Sequence, residues 1–337
     1  MPRDTVPDTR VPRAPRMTGR ANDIGNWRAV PLVDPMEKLK HLDFRKRILS
    51  AMYRYPRLNR YEGFIGRTPV VGGDTYIGVE VELEHVDYYD KHLSNSVWKA
   101  MNDGSLKERG KEFVTRPIRF KFLEIELMRL YEVILAHKVT DRCSTHVHMN
   151  VRDMSLYQLR NFIALYMVFE KSMFNYSGNR WRNIHCVPMC NDISRTREFV
   201  RSLEVGHVAF GWSKYSACNL SPIYGGDGSD KIGTIEFRHM IGTVDSKYLI
   251  GWINLITSLK LAAKSWDWEE IYSEIVTMNE TSKYTLFAEQ VFKQCMDLIV
   301  GQPTFKQDVE FCITAAKKVF CQPKVIAEEI TILKKGT

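Results

Sequence analysis

Tyr76-Ile77-Gly78-Val79-Glu80-Val81-Glu82-Leu83-Glu84 alternates apolar residues with carboxylates. Successive side chains of a β-strand point to opposite faces, so Val79, Val81 and Leu83 face a core while Glu80, Glu82 and Glu84 line the other side. Carboxylates two residues apart on a strand lie roughly 6–7 Å from one another. At an effective dielectric near 20, each partly buried pair repels by about 2.5 kcal/mol. Either water screens that face or a cation neutralises it.

Two further stretches repeat the construction. Ser144-Thr145-His146-Val147-His148-Met149-Asn150-Val151 sends His146, His148 and Asn150 one way and Val147, Met149 and Val151 the other. Gly233-Thr234-Ile235-Glu236-Phe237-Arg238-His239-Met240 separates Glu236 and Arg238 from Ile235, Phe237 and His239. Three strands of this kind can share one sheet, with its apolar side on a core and its polar side as the floor of a site.

The stretch is entered from a turn at Gly72-Gly73-Asp74 and followed by a tight turn at Asn102-Asp103-Gly104. Gly110–Arg116 reads as another strand, closed by Pro117. Apolar spacing predicts helices over 119–138 and from a cap at Asp153 or Ser155 to about Tyr176. Residues 178–192 read as irregular and rich in functional groups. A short helix over Thr196–Leu203, a strand over Lys214–Leu220 and a hairpin turn at Gly225–Asp230 follow. From Lys247 onward the pattern is helical, roughly 247–266, 268–278, 284–299 and 305–320. The fold class expected is α+β.

With 337 residues and 44% hydrophobic composition the chain is long enough for a substantial core. It has no apolar run of the length a transmembrane helix needs, and its Pro- and Arg-rich start lacks the apolar segment of a signal peptide, so the expectation is a cytoplasmic protein without membrane contact. The seven cysteines, at 143, 186, 190, 218, 295, 312 and 321, fit reduced thiols better than a disulfide framework. The net charge of +8 is confined to residues 1–60, which hold 14 basic and 6 acidic residues, leaving 34 of each sign in the rest. Residues 1–35 read as a basic disordered arm and Met36–Tyr55 as a basic amphipathic helix. Residues 1–60 therefore offer a nucleic-acid or assembly contact, or simply a solvated basic face.

Collected on one surface, Glu80, Glu82, Glu112, His148 and Glu236 supply carboxylates and an imidazole. Hard divalent cations such as Mg²⁺ or Mn²⁺ take oxygen ligands, often shared with substrate phosphates, and Mn²⁺ also accepts imidazole. Arg238, on the face of Glu236, suits a phosphate that the carboxylates alone would repel. These residue types point to phosphoryl transfer.

In order along the chain, Gly78-x-Glu80-x-Glu82, Asp103-Gly104-Ser105 with Glu112-Phe113-Val114-Thr115-Arg116-Pro117, His146-x-His148-x-Asn150 and Ile235-Glu236-Phe237-Arg238 resemble the motif series of the carboxylate–amine ligases, the superfamily of glutamine synthetase and glutamate–cysteine ligase. The amidoligase branch, widespread in phages and bacteria, is the most similar, over about residues 75–260. The resemblance implies a curved antiparallel sheet forming a glutamine synthetase-like catalytic bowl flanked by helices. The chain as a whole is expected to divide into the arm 1–35, a catalytic domain 36–266 and a C-terminal helical region 267–337, the arm and the C-terminal helices lying outside the resemblance. The resemblance further implies ATP and Mg²⁺ or Mn²⁺ as cofactors and amide formation through an acyl phosphate, on an amino acid, a peptide or a protein side chain. A phage-encoded enzyme of this kind would work in the host cytoplasm.

By motif position Glu80, Glu82, Glu112, His148 and Glu236 match the family's metal ligands. Arg238 matches its phosphate-binding arginine, and Asp103 an acidic position near the incoming amine or a metal. Arg180 and Arg182 match the segment that contacts substrate or phosphates, and Lys214 with Asn219 its K-Y-x-x-x-N element. Glu84 belongs to no motif and is expected in solvent at the strand's end.

Two other readings stand beside this one. A non-catalytic phage structural or nucleic-acid-binding protein would keep a ligase-like fold and use its basic arm. A zinc-dependent hydrolase would use His146 and His148; His185, Cys186 and Cys190 form a weaker zinc pattern that lacks a fourth ligand.

Overall fold

The computed structural model describes residues 67–93, 96–204, 212–224, 232–300 and 305–321. The expected arm, the helix at Met36–Tyr55 and the turn at Gly225–Asp230 lie outside the described residues. Tyr76–Glu84 is the first part of a thirteen-residue strand, β1 (Tyr76–Tyr88). Val79, Val81 and Leu83 are fully buried, as the alternation requires.

Seven more strands follow among the described residues: β2 (Trp98–Met101), β3 (Lys111–Thr115), β4 (Ile118–Arg119), β5 (Ile134–Lys138), β6 (Ser144–Asn150), β7 (Cys218–Asn219) and β8 (Thr234–Ile241). The sheet order is β2-β3-β1-β6-β8-β7, with β4 and β5 also paired to β1. The named strand pairs are antiparallel and the sheet is open. It is an α+β fold, and the three alternating stretches are three adjacent strands at its centre.

Register decides which polar residues meet. Glu80 lies opposite His146 and Gly78 opposite His148, Glu82 opposite Glu112, and His148 opposite Glu236. β5 and β6 pair consecutively with β1, Tyr88 to Glu84 with Ile134 to Lys138 and Val81 to Ile77 with Thr145 to Met149. Residues 139–143 are looped out between them. A second irregularity sits between β6 and β8, where Thr145 pairs with Met240 and Val147 with Phe237, so that Arg238 and His239 together oppose His146. Such a bulge re-aims side chains and is common beside active sites.

Ten helices surround the sheet among the described residues: α1 (Asp90–Leu93), α2 (Leu123–Val133), α3 (Leu156–Tyr176), α4 (Ile193–Glu204), α5 (Ser221–Tyr224), α6 (Ser246–Ser265), α7 (Trp268–Thr277), α8 (Thr281–Phe292), α9 (Asp297–Val300) and α10 (Phe305–Phe320). α3 starts in a capping box formed by Ser155 and Gln158. It is apolar nearly all round because it is covered on both sides. Phe162 and Tyr166 meet Phe237 and His239 of the sheet, while Phe169 meets Tyr284, Phe287 and Phe292 of α8. The C-terminal helices thus share one hydrophobic core with the sheet.

Three expected elements differ. The helix predicted over 119–138 is only α2, because the chain becomes extended at Ile134 and pairs as β5 with the distal half of β1. The strand predicted over Lys214–Leu220 is reduced to Cys218–Asn219 with an isolated bridge from Ser216 to Val187. The helix predicted over 284–299 is broken after Phe292, where Lys293 takes a left-handed φ of 46°. All seven cysteines are free thiols. Among the described residues no helix is long and apolar enough to cross a membrane.

One buried charge ties helix to sheet. Lys260 of α6, whose side chain is 3% exposed, reaches the Asn150 carbonyl at 2.7 Å and Asp153 at 2.7 Å, and Lys264 shares Asp153 at 2.6 Å. Removing one partner of a buried pair leaves the other charge uncompensated. Asp153→Ala is therefore expected to lower stability by about 1–3 kcal/mol, discounted because Asp153 is partly solvated. Urea denaturation of the variant measures it; an unchanged midpoint would show that the Asn150 carbonyl suffices for Lys260.

Candidate active site

On the face of the sheet away from the core the carboxylates converge as the alternation predicts. Glu80 is the centre. Its carboxylate lies 2.9 Å from His146 Nδ1 and 3.1 Å from His148 Nε2. His148 Nδ1 lies 3.1 Å from the Thr234 hydroxyl, which fixes the other side of the ring. Glu82 accepts both the backbone N–H and the hydroxyl of Ser144, at 2.8 and 2.7 Å. The looped-out stretch before Ser144 leaves that N–H free to turn to a side chain. The same hydroxyl is 2.9 Å from His146 Nε2.

Glu236 is held by Asn219, whose amide donates to Oε2 at 2.7 Å, and by an ion pair with Arg238. Arg238 Nε also donates to the His185 carbonyl at 3.3 Å. Arg180 donates to the carbonyls of Arg238 and Met240, both at 3.1 Å. It thereby closes the backbone groups around the β8 bulge. The chain reaches that position because α3 is followed, after its C-cap Ser177, by Gly178, where φ is 100° and a Cβ would stand 2.6 Å from Ile241. Further along the same loop, the backbone N–H groups of Met189 and Cys190 donate to the fully buried Glu170 at 2.5 and 2.7 Å.

Among the described residues there are three groups whose ligand atoms lie within 4.8 Å of one another: Glu82, Asp103 and Glu112; Glu80, Glu112 and His146; and Glu80, His148 and Glu236. Glu112 belongs to the first two and Glu80 to the last two, so the groups form a connected row. The donor set of carboxylate oxygens with one imidazole in two of the groups suits a hard or borderline divalent cation. The charge distribution agrees. Burial, then the negative charges of Glu80, Glu82 and Asp103, push the Glu112 carboxyl up to about 8. Burial opposes ionisation of Glu80 and Glu236 too, but the nearby imidazoles outweigh it and hold both below the usual carboxylate range. Burial disfavours charge on His148, yet Glu80 raises it above its ordinary value.

These shifts give a signed pH dependence. The Glu112 carboxyl takes up its proton at about 8 when folded and near 4.5 when unfolded. The folded chain therefore binds more protons in that interval, and stability falls as pH rises through it, by at most about 4–5 kcal/mol. His148 adds a loss of the same sign above its unfolded value. The lowered groups act only on the acid side. Metal-free protein is expected to melt about 5 °C lower at pH 8.5 than at pH 6, and saturating Mg²⁺ should flatten the slope. Melts in EDTA and in Mg²⁺ across pH 5–9 check this; equal slopes in both would refute a cation at Glu112.

The structure thus brings together Glu80, Glu82, Glu112, His148, Glu236, Asp103 and Arg238, with Arg180 beside them. Asn219 is fully buried and both ends of its amide are engaged, Nδ2 with Glu236 and Oδ1 with the Ser221 N–H at 3.0 Å. Its observed role is to orient a carboxylate. Arg182 and Lys214 are exposed on the flanking loops, the Lys214 ammonium 5.3 Å from the centre of the Tyr215 ring. His146, a ligand only in the zinc reading of the sequence, joins the row because the register of β6 on β1 sets it opposite Glu80. Glu84 corrects an expectation outright, being fully buried. The Arg142 guanidinium, then the Lys107 N–H, hold its carboxyl down to about 2.

No protein-family model matches this sequence, and no curated protein matches it.

Proposed function

We propose that the chain is an ATP- and divalent-metal-dependent carboxylate–amine ligase, an amidoligase in the sense of the sequence resemblance. The observation that carries this reading is the row of three ligand groups joined through Glu80 and Glu112, with Arg238 paired to Glu236 at one end. Mg²⁺ or Mn²⁺ held by Glu80, Glu82, Glu112, His148 and Glu236, with His146 and Asp103 added, would supply neutralisation of nucleotide phosphate charge.

The remaining chemistry belongs to the chain's own residues. Arg238, already stretched between Glu236 and the His185 carbonyl, is suited to grip the phosphoryl group that passes from ATP to a substrate carboxylate. The Pγ–O bond to ADP breaks and an acyl phosphate forms. An amine lone pair then attacks the acyl carbon, phosphate leaves, and the amine's surplus proton passes to a base, for which Asp103 is the candidate. Arg180, by closing the bulge, keeps Arg238 aimed. The substrate classes are an amino acid, a peptide or a protein side chain.

The test is ADP release by purified protein with ATP and Mg²⁺ or Mn²⁺. Release is expected to rise when an amine and a carboxylate are added and to vanish in Glu82→Ala. Protein that neither binds nor turns over ATP with any mixture of amino acids would refute the reading. Comparison of small molecules and proteins from cells expressing the enzyme or Glu82→Ala would name the substrates by mass spectrometry.

A zinc hydrolase is favoured by one observation, the approach of both His146 and His148 to Glu80. Stoichiometric zinc after purification, with hydrolysis but no ATP turnover, would replace the first reading by this one.

A further inference from the structure

Glu84 continues the row of Glu80 and Glu82 on the same face of β1, but its carboxylate is turned to other partners. Its Oε1 accepts the Lys107 backbone N–H at 2.6 Å and Arg142 Nε at 3.0 Å, and its Oε2 accepts the Thr140 hydroxyl at 2.9 Å and Arg142 Nη2 at 3.4 Å. Both oxygens are thus committed to donors from two different loops. The first loop, residues 102–110, carries Asp103. The second, residues 139–143, leads directly into Ser144, which holds Glu82.

The Asp103 loop needs such an anchor. Glu108 and Arg109 both have left-handed backbone conformations, with φ of 48° and 58°. So does His85, next to Glu84, with φ of 54°. Non-glycine residues in that region are strained and persist only where the surroundings over-determine them. Here the fixing contacts are His85 N–H to the Glu108 carbonyl at 2.7 Å and Lys107 N–H to Glu84. At the other end the Asp103 carboxylate accepts the Ser105 N–H at 2.7 Å, so its position follows the loop. Asp103 has no strand to hold it, unlike Glu82 and Glu112.

We propose that Glu84 is a positioning residue: by gripping Lys107 N–H, Thr140 and Arg142 it fixes the 102–110 loop so that Asp103 stays within ligand distance of Glu82 and Glu112. It orders one end of the row of ligand groups and leaves the Glu80, His148 and Glu236 group to the sheet. This rests on the metal-binding reading above.

The test is Mn²⁺ binding by the full chain, followed by calorimetry and by electron paramagnetic resonance. Asp103→Asn marks the ions that depend on Asp103, and His148→Ala marks those that do not. Glu84→Gln is expected to weaken the Asp103-dependent binding tenfold or more and to leave the His148-dependent binding within twofold. In Glu84→Gln/Asp103→Asn the second substitution should add nothing, since residues acting through one element are non-additive. Equal loss of both classes, or additive effects of the two substitutions, would overturn the proposal. Should Glu84→Gln fail to fold, Arg142→Gln removes two donors from the solvent side, and the same selective loss is required of it. Wild-type protein that binds no Mn²⁺ overturns the metal reading and this proposal together; wild-type binding of two classes with additive variants overturns only this one.

Discussion

Glu80→Gln is expected to lower metal-dependent ATP turnover roughly 10³-fold, the largest loss for any single change that preserves side-chain shape. Glu80, like Glu112, is common to two of the ligand groups, and it alone of the two receives both imidazoles of β6. A glutamine removes the charge and offers an N–H₂ to one of two rings that both present nitrogens to the present carboxylate. Two ion positions weaken at once, each by at least about tenfold. Mn²⁺ titration beside a steady-state ATPase assay measures both effects. Turnover within fivefold of wild type, with unchanged Mn²⁺ stoichiometry, would remove Glu80 from the site.

Arg238→Ala separates the phosphate from the metals. The expected loss is about 10²–10³ in kcat/KM for ATP, the magnitude of removing one donor aimed at developing charge. Arg238→Lys should recover little, because an ammonium lacks the planar fork that spans Glu236 and the His185 carbonyl. Mn²⁺ affinity should hold or tighten in Arg238→Ala, since Glu236 loses its competing ion-pair partner. That sign distinguishes the variant from Glu80→Gln. Loss of Mn²⁺ binding together with ATP binding would instead make Arg238 a prop of the β8 bulge.

The central strands were legible because a strand repeats every two residues and a polar face leaves that period visible. Val79, Val81 and Leu83 against Glu80, Glu82 and Glu84 needed no partner to be read. The helices α3, α6, α7 and α10 were legible because apolar residues recur at helical spacing along each of them without a turn signal to interrupt it. Short pieces were not. β5 has the composition of the helix before it, and only the open distal half of β1 makes it a strand. The cluster's composition was also legible, since Glu80, Glu82, Glu112, His148 and Glu236 fall on one face by parity alone.

Local periodicity was enough to set the faces: which side chains point to the core, which gather on the polar side, and that the latter are a donor set suited to a hard cation. Tertiary structure alone decided their partners. Parity says that His146 and Glu80 share a side, whereas the register of β1 on β6 sets them opposite each other. Parity also treats Glu80, Glu82 and Glu84 alike. The loops at 102–110 and 139–143 bring Lys107, Thr140 and Arg142 to Glu84 alone, and these contacts turn the third carboxylate from a repelling neighbour into a buried anchor. Those donors lie 23 to 58 residues away along the chain, a separation that local periodicity cannot bridge.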